Sequence, residues 1–409
     1  MKLTEEQKKI IFSKEDNIEV KSPAGSGKTT TLAEYAKENF DKTILCLMFS
    51  KDLRKNTKYK MPVNCEVHTA NSFAFKYSDF KNRMIVDSFS VIDIMNIFSL
   101  NDLTLSSQIL SDYNNLMNSD KPLENFPDSY AKQLYFYQIN NKVKVDHSFL
   151  LKNIAESNIS LQYDIIMIDE AQDINPVMKQ LIGAITHTKE ISIGDINQAI
   201  YGFRNNISIF SDNDEYRLTK SFRFGPKIAD HINLLTEKLY GKSIDMIGNE
   251  KIESIITNKE IVGPYSAYIA RTNAHLFNKA IELAIMGLNI SIPFEWEDLK
   301  NKIKDLVYLQ IGMNDKIVNP LYKKFDSFNS LKKYMKNGFN LEDKFLITLI
   351  ETHNIAMLEY INLIEQRMSS PKYADMTLIT AHKSKGLEYM YVEVGTDFNM
   401  RNTEEKNLI

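Results

Sequence analysis

Cysteine is nearly absent from this chain: Cys46 and Cys65 are the only two among 409 residues, and both sit in apolar, strand-like runs. Two such residues make neither a disulfide framework nor a zinc ligand set, so a reducing cytoplasm is the expected compartment. Long apolar runs are missing as well; none approaches the roughly eighteen residues of a membrane span. The stretch MKLTEEQKKI is amphipathic and lacks the apolar centre of a signal peptide. No membrane partner is expected. Nor is there an excess of basic residues: 50 Lys and Arg face 53 Asp and Glu, a net charge of −3. A protein that grips nucleic acid mainly through phosphates is usually basic, so any such contact here must be local. Internal repeats, low-complexity tracts and Pro/Gly-rich linkers are also lacking. The rest is ordinary for a globular chain with room for two or more domains, at 43% hydrophobic and 25% charged residues.

Short β-rich runs recur, and several end at a polar turn. NIEV leads into a glycine loop, TILCLMF ends at Ser50-Lys51, YDIIMIDE ends on two carboxylates and EISIGD ends on Asp195. Apolar runs of this length, spaced by helical patterns such as TTTLAEYAKENF, predict buried parallel strands with crossover helices. Ligands of such sheets bind at the carboxyl ends of the strands, where these polar residues fall. A second series begins near Leu218 with helix PKIADHINLLTEKLY, strand YSAYIA, helix AHLFNKAIELAIMG and strand NISI; strands MTLIT and YMYVEV follow much later. Two stretches lack this rhythm, about 83–150 and about 293–371, and both look mainly helical. The predicted fold class is α/β, with two parallel-sheet units that each carry a mainly helical insertion.

The stretch KSPAGSGKTT, Lys21 to Thr30, has the chemistry of a phosphate-binding loop. Glycines let backbone N–H groups turn inward onto phosphate oxygens, a lysine adds charge at the β and γ phosphates, and the next hydroxyl ligates magnesium. Gly25 and Gly27 supply the turn, Lys28 the charge and Thr29 the hydroxyl, within a cradle of Ser22, Ala24, Ser26 and Thr30. Ser22 stands where the usual pattern has glycine and is small enough to replace it. In IIMIDEAQD, a carboxylate at a strand tip, Asp169, suits the magnesium, and its neighbour Glu170 suits the attacking water. ATP and Mg²⁺ are the expected cofactors. Gln7 has two readings: TEEQ is a capping box in which Gln7 bonds back to Thr4, and a glutamine amide also matches the edge of adenine.

The ordered series LTEEQ, AGSGKTT, FSKD, HTANSFA, IDEAQD, GDINQAIYGFRN, SFRFGPKIA, ARTN and TAHKSKGLE resembles the motifs of superfamily 1 DNA helicases of the UvrD/Rep type. SFRFGPKIA, ARTN and DHSFLLK look closest to the F-box DNA helicase branch, although no F-box precedes the first motif of this sequence. The resemblance runs from about Leu3 to Gly395. It implies two RecA-like domains: 1A over 1–82 and 151–217, with insertion 1B over 83–150, and 2A over 218–292 and 372–409, with insertion 2B over 293–371. It also implies that Gln7 reads adenine, that Gln198 senses the γ-phosphate and that Arg223 reaches that phosphate. Phe222 takes the place of a tyrosine stacked on the base, while Gly386 and Glu388 match the ribose-binding end of the fifth motif.

The resemblance further implies a single-strand track in which bases stack on aromatic rings while a few donors hold the phosphates. Phe49, Tyr201 and Phe203 fall at stacking positions, Phe203 replacing a common tryptophan. Lys51, Thr69, Ser72, Arg204, Thr380 and His382 are candidate contacts, and Asn71 stands where relatives often carry histidine. The run KDLRKNTKYK reads equally as a local basic patch or as a solvated helix face. The expected activity is an ATP-dependent translocase or helicase moving 3′ to 5′ on single-stranded DNA, or on duplex with a 3′ tail, with ATP hydrolysed at the cleft between the RecA-like domains. A monomer is expected, with a nuclease or recombination factor as protein partner. The rival reading is a nucleotide-gated DNA-binding or scaffold protein with little catalysis of its own. The last residues, TEEKNLI, resemble the lead-in to the family's sixth motif without its arginine. The expectation is therefore a reading frame that continues past Ile409, with slow turnover in this form.

Overall fold

The computed structural model describes residues 3–48, 57–157, 159–199, 210–211, 215–293, 296–335 and 341–398. Phe49, Lys51, Tyr201, Phe203, Arg204, most of the KDLRKNTKYK run and the residues after 398 lie outside the described residues. The chain divides into two compact units, Met1–Ile256 and Thr257–Ile409.

The first unit is built on a six-stranded, wholly parallel sheet. Its strands are β1 (Asn17–Lys21), β2 (Ile44–Met48), β3 (Cys65–Thr69), β6 (Ile165–Asp169), β7 (Lys189–Gly194) and β8 (Tyr216–Arg217), in the order β3-β2-β6-β7-β1-β8. β2 and β6 are buried along their whole length, as the unbroken runs ILCLM and IIMID require. β3 alternates instead, turning Cys65, Val67 and Thr69 inward while Glu66 and His68 stay partly open. Parallel pairing brings the carboxyl ends of all these strands to one edge of the sheet. Helices α1 (Glu5–Ile11) and α2 (Lys28–Glu38) cover one face, where Ile10, Leu32 and Tyr35 pack on Ile18, Val20 and Ile193.

The opposite face merges with the first insertion. Helices α4 (Val91–Phe98), α5 (Leu103–Asn118), α6 (Tyr130–Ile139) and α7 (His147–Glu156) share one apolar cluster with Leu45, Leu47, Ile166 and Ile168 of the sheet. Helices α3 (Ala70–Tyr77) and α8 (Pro176–Ala184) join the same cluster. A short parallel pair, β4 (Ile85–Val86) with β5 (Val145–Asp146), closes the insertion on itself. The helical pattern of the sequence does not reveal it. Buried Asp146 caps α7 through the Phe149 N–H at 2.7 Å and accepts the Tyr113 hydroxyl at 2.8 Å. Burial outweighs these bonds and pushes its carboxyl up to about 6.

The sequence rhythm assigns 218–256 to the second α/β series, yet these residues group with the first unit. Hydrogen bonds to the first unit explain why. The Leu218 N–H donates to Lys21 O at 3.0 Å, and Thr219 donates from its N–H and its hydroxyl to the Glu6 carboxylate at 2.9 and 2.7 Å. Helix α9 (Pro226–Tyr240) opens on a proline at its first turn and stops at Gly241 in the left-handed region.

The second unit carries its own parallel sheet in the order β10-β11-β9-β12, from β9 (Ser266–Ala270), β10 (Ile290–Ser291), β11 (Met376–Thr380) and β12 (Tyr391–Val394). Helix α10 (Asn273–Ile285) packs on it. Asp397 fixes the start of that helix, accepting the Arg271 and Thr272 N–H groups at 2.9 Å each. The second interruption is helical, with α11 (Trp296–Gln310), α12 (Phe328–Met335), α13 (Leu341–His353) and α14 (Ala356–Arg367); the short α15 (Ala381–Ser384) follows β11. The α/β class with parallel sheets and helical insertions is thus the one the sequence predicts. No helix among the described residues is long and apolar enough to cross a membrane.

Candidate active site

The glycine loop joins β1 to α2. Gly25 and Gly27 adopt φ of 72° and 88°, a region that L side chains rarely enter. A serine pair braces the loop from beneath: Ser22 and Ser26 hydroxyls lie 2.6 Å apart, and Ser26 donates to Pro23 O at 2.6 Å. Ser22 therefore does more than fit where glycine is usual. Its hydroxyl ties the two ends of the turn together, and its N–H donates to Gly194 O at 2.8 Å.

Lys28 and Thr29, in the first turn of α2, meet the tip of β6. The Thr29 hydroxyl donates to Asp169 Oδ2 at 3.0 Å, and Lys28 Nζ lies 3.5 Å from Glu170 Oε1. Burial works against the charge on Lys28, but Glu170, Asp195 and Asp169 together hold its pKa above the usual lysine value. Asp169 is shifted upward as well: burial, then repulsion from Glu170, push its carboxyl up to about 6. Glu170 sits in the left-handed region at φ 56°, which turns its side chain back towards the loop.

No group of three or more His, Cys, Asp or Glu among the described residues could hold a metal unaided. The Thr29–Asp169 pair offers one hydroxyl and one carboxylate, both hard oxygens, beside the loop. That set fits magnesium, which takes one or two protein ligands and completes its shell with phosphate oxygens and water.

Gln172 is a residue whose part in the site the sequence did not disclose. Its Nε2 donates to Glu170 Oε2 at 2.6 Å, and its Oε1 accepts the Asp195 N–H at 3.0 Å. Asp195 in turn accepts from Gln198 Nε2 at 2.8 Å. A line of hydrogen bonds thus runs from Glu170 through Gln172 and Asp195 to Gln198. The available signal was the glutamine in DEAQD, two positions after Glu170.

Gln7, Gly27 and Phe222 converge. A Cβ built on Gly27 would lie 3.1 Å from Gln7 Nε2 and 3.5 Å from the Phe222 ring. Both halves of the capping box are present: Gln7 N–H donates to Thr4 Oγ1 at 3.2 Å, and Thr4 N–H donates to Gln7 Oε1 at 3.0 Å. Gln7 Nε2 also donates to Thr31 Oγ1 at 3.1 Å. The cap reading therefore holds, and each end of the amide keeps capacity for one further bond. Phe222 N–H donates to Gly25 O at 2.7 Å, which brings Arg223 against the loop.

Of the expected single-strand contacts in this unit, Thr69, Asn71 and Ser72 lie at the junction of β3 and α3. Thr69 and Ser72 form a reciprocal cap: Ser72 N–H donates to Thr69 Oγ1 at 3.1 Å, and Thr69 N–H donates to Ser72 Oγ at 2.9 Å. The second unit carries Thr380 at the end of β11, His382 in α15, Gly386 at φ 83° and an exposed Glu388.

Residues 105–216 match the family model of the UvrD/REP helicase N-terminal domain. F-box DNA helicase protein 1 of Schizosaccharomyces pombe is 26% identical, the alignment covering 97% of this chain and 53% of that protein. F-box DNA helicase 1 of Gallus gallus is 23% identical across 97% of this chain and 45% of its own length. An ATP-dependent helicase/nuclease protein of Natranaerobius thermophilus is 31% identical over 25% of this chain and 9% of its own length. The chain spans about half the length of the F-box helicases it resembles.

Proposed function

Starting from a relative of the UvrD/Rep-type superfamily 1 helicases, we propose that this chain is an ATP-dependent translocase or helicase acting on single-stranded DNA. The observation that carries the proposal is the meeting of Lys28, Thr29, Asp169 and Glu170 at one edge of a parallel sheet, beneath a loop with two left-handed glycines. Lys28 would hold the β and γ phosphates, and Glu170 would take a proton from the attacking water. Gln172 would keep the Glu170 carboxylate in one orientation. Thr29 and Asp169 would hold a magnesium ion, which when bound neutralises charge on the phosphates. Gln7 and Phe222 would flank adenine, and Arg223 and Gln198 would face the γ-phosphate; these roles rest on the resemblance and on the proximity of the residues.

The division into domains 1A, 1B, 2A and 2B and travel from 3′ to 5′ belong to the same proposal and rest on the resemblance alone. So do the alternate approach and separation of the RecA-like domains as ATP is bound and hydrolysed, the aromatic track and the duplex substrate with a 3′ tail.

Steady-state ATPase with and without single-stranded DNA tests the reading. Stimulation by DNA, lost by about a hundred-fold or more in Glu170→Gln while ATP still binds, is the expected result. Nucleotide binding without DNA-stimulated turnover in the parent chain would favour the scaffold reading.

A further inference from the structure

A chain of polar groups at the β3–α3 junction has no part in the nucleotide chemistry. His68 bridges Glu66 and Ser72: Nε2 lies 2.9 Å from Glu66 Oε1, and Nδ1 lies 3.2 Å from Ser72 Oγ. Glu66 also accepts from Lys76 and from the Tyr163 hydroxyl, the latter at 2.6 Å. Tyr77 stands 3.3 Å from that hydroxyl, and the Phe73 ring meets the imidazole edge-on at 5.8 Å. Burial opposes the charge on Glu66, but the bonds from Lys76, Tyr163 and His68 draw its carboxyl down to about 2. Glu66 is therefore a carboxylate throughout the physiological range and can only accept. His68 Nε2 must carry a hydrogen.

The proton on Nδ1 then decides what Ser72 can do. The Ser72 hydroxyl has one proton and two lone pairs, and one lone pair is taken by the Thr69 N–H at 2.9 Å. When His68 is neutral, Nδ1 is bare and takes the serine proton. When His68 is cationic, Nδ1–H donates to the second lone pair. The serine proton is then left to the Thr69 carbonyl at 3.0 Å, a neutral acceptor that a phosphate oxygen outcompetes through a charge-assisted bond. We propose that His68 is a positioning residue for single-strand binding, its protonation releasing the Ser72 hydroxyl to donate to a DNA phosphate. This inference rests on Ser72 belonging to the DNA track of the proposed function. Binding of DNA would then draw a proton onto His68, by reciprocal linkage.

Calorimetric titration of the 409-residue chain with an oligothymidine of about 16 nucleotides, in buffers of different ionisation enthalpy near neutral pH, reads the proton directly. The expected result is uptake of a fraction of a proton on binding, with affinity several-fold weaker at about pH 8 than at about pH 6. His68→Gln should abolish the uptake and flatten the pH profile. Glu66→Gln should move the profile to lower pH, because the imidazolium loses its counter-charge. A residue that only packs would change affinity equally at every pH. Uptake that persists in His68→Gln would overturn the proposal. So would a parent chain that takes up no proton although Ser72→Ala weakens binding. An oligonucleotide that fails to bind at any pH would overturn this proposal and the proposed function together.

Discussion

Gln172 holds Glu170 in place: its amide nitrogen donates to Glu170 Oε2 at 2.6 Å while its carbonyl oxygen takes the Asp195 N–H at 3.0 Å. The carboxylate opposite Lys28 is thereby fixed from the side away from the loop. Gln172→Ala is expected to lower the ATPase kcat by roughly ten- to a hundred-fold, the usual cost of losing an outer partner of a reactive group. The KM for ATP should stay near the parent value, since Gln172 bonds to Glu170 and Asp195 and not to the glycine loop. Rate measurements over a range of ATP concentrations separate the two.

Gly194 is the second half of that device. A Cβ there would stand 2.2 Å from Gln172 Oε1 and 3.0 Å from the Ala171 N–H. Gly194→Ala is expected to displace Gln172, to destabilise the fold by about 1–3 kcal/mol and to reduce turnover as Gln172→Ala does. Combining the two changes should cost less than the sum of their separate effects on rate. Fully additive losses would mean that Gly194 acts elsewhere.

A raised Asp169 gives a pH prediction. Burial and the neighbouring Glu170 push its carboxyl up to about 6, so it is largely ionised at neutral pH and gains a proton as pH falls through that value. A neutral carboxyl is a poor magnesium ligand. The magnesium concentration for half-maximal ATPase should therefore rise as pH drops below about 6 and stay level above it. Bound metal favours the ionised form and moves the observed midpoint downward. An Mg²⁺ requirement that is flat down to about pH 5 would remove Asp169 from the metal site.

Lys152 in α7 supplies a test of the insertion. The side chain is fully buried, its Nζ donates to Ser119 O at 2.8 Å and Lys121 O at 2.7 Å, and it pairs with Glu156 at 2.8 Å. Lys152→Met leaves two carbonyls and a carboxylate without their cation. The expected loss is about 3–5 kcal/mol in denaturant unfolding, with ATPase of the chain that remains folded unchanged.

Much of the frame was legible because its signals are local. Unbroken apolar runs located β2 and β6, and the proline and glycine that bound PKIADHINLLTEKLYG mark both ends of α9. The loop lysine and the carboxylates of IDEAQD can be paired from the sequence alone, because each lies at a strand end. β3 is harder: CEVHT alternates polar and apolar residues instead of running unbroken, and the sequence rhythm places no strand there. Residues 218–256 also read differently, since their ties to Glu6, Lys21 and Gly25 are hydrogen bonds across some 200 positions that no local pattern encodes. The bond from Gln172 to Asp195 and that from Tyr163 to Glu66 share that limit. Their roles depend on which strand ends become neighbours, and adjacency of that kind is a property of the folded sheet.

The apolar cluster that joins the first insertion to the sheet has a mechanical consequence. Phe89, Ile109, Tyr113 and Phe149 lie in one continuous core with Ile166 and Ile168, the residues that lead directly to Asp169. Close-packed interiors compress little and transmit strain. Residues 83–150 are therefore not a pendant arm on a joint. They are packed onto β6 through this shared core, so that the insertion and the strand that ends at Asp169 belong to one close-packed body.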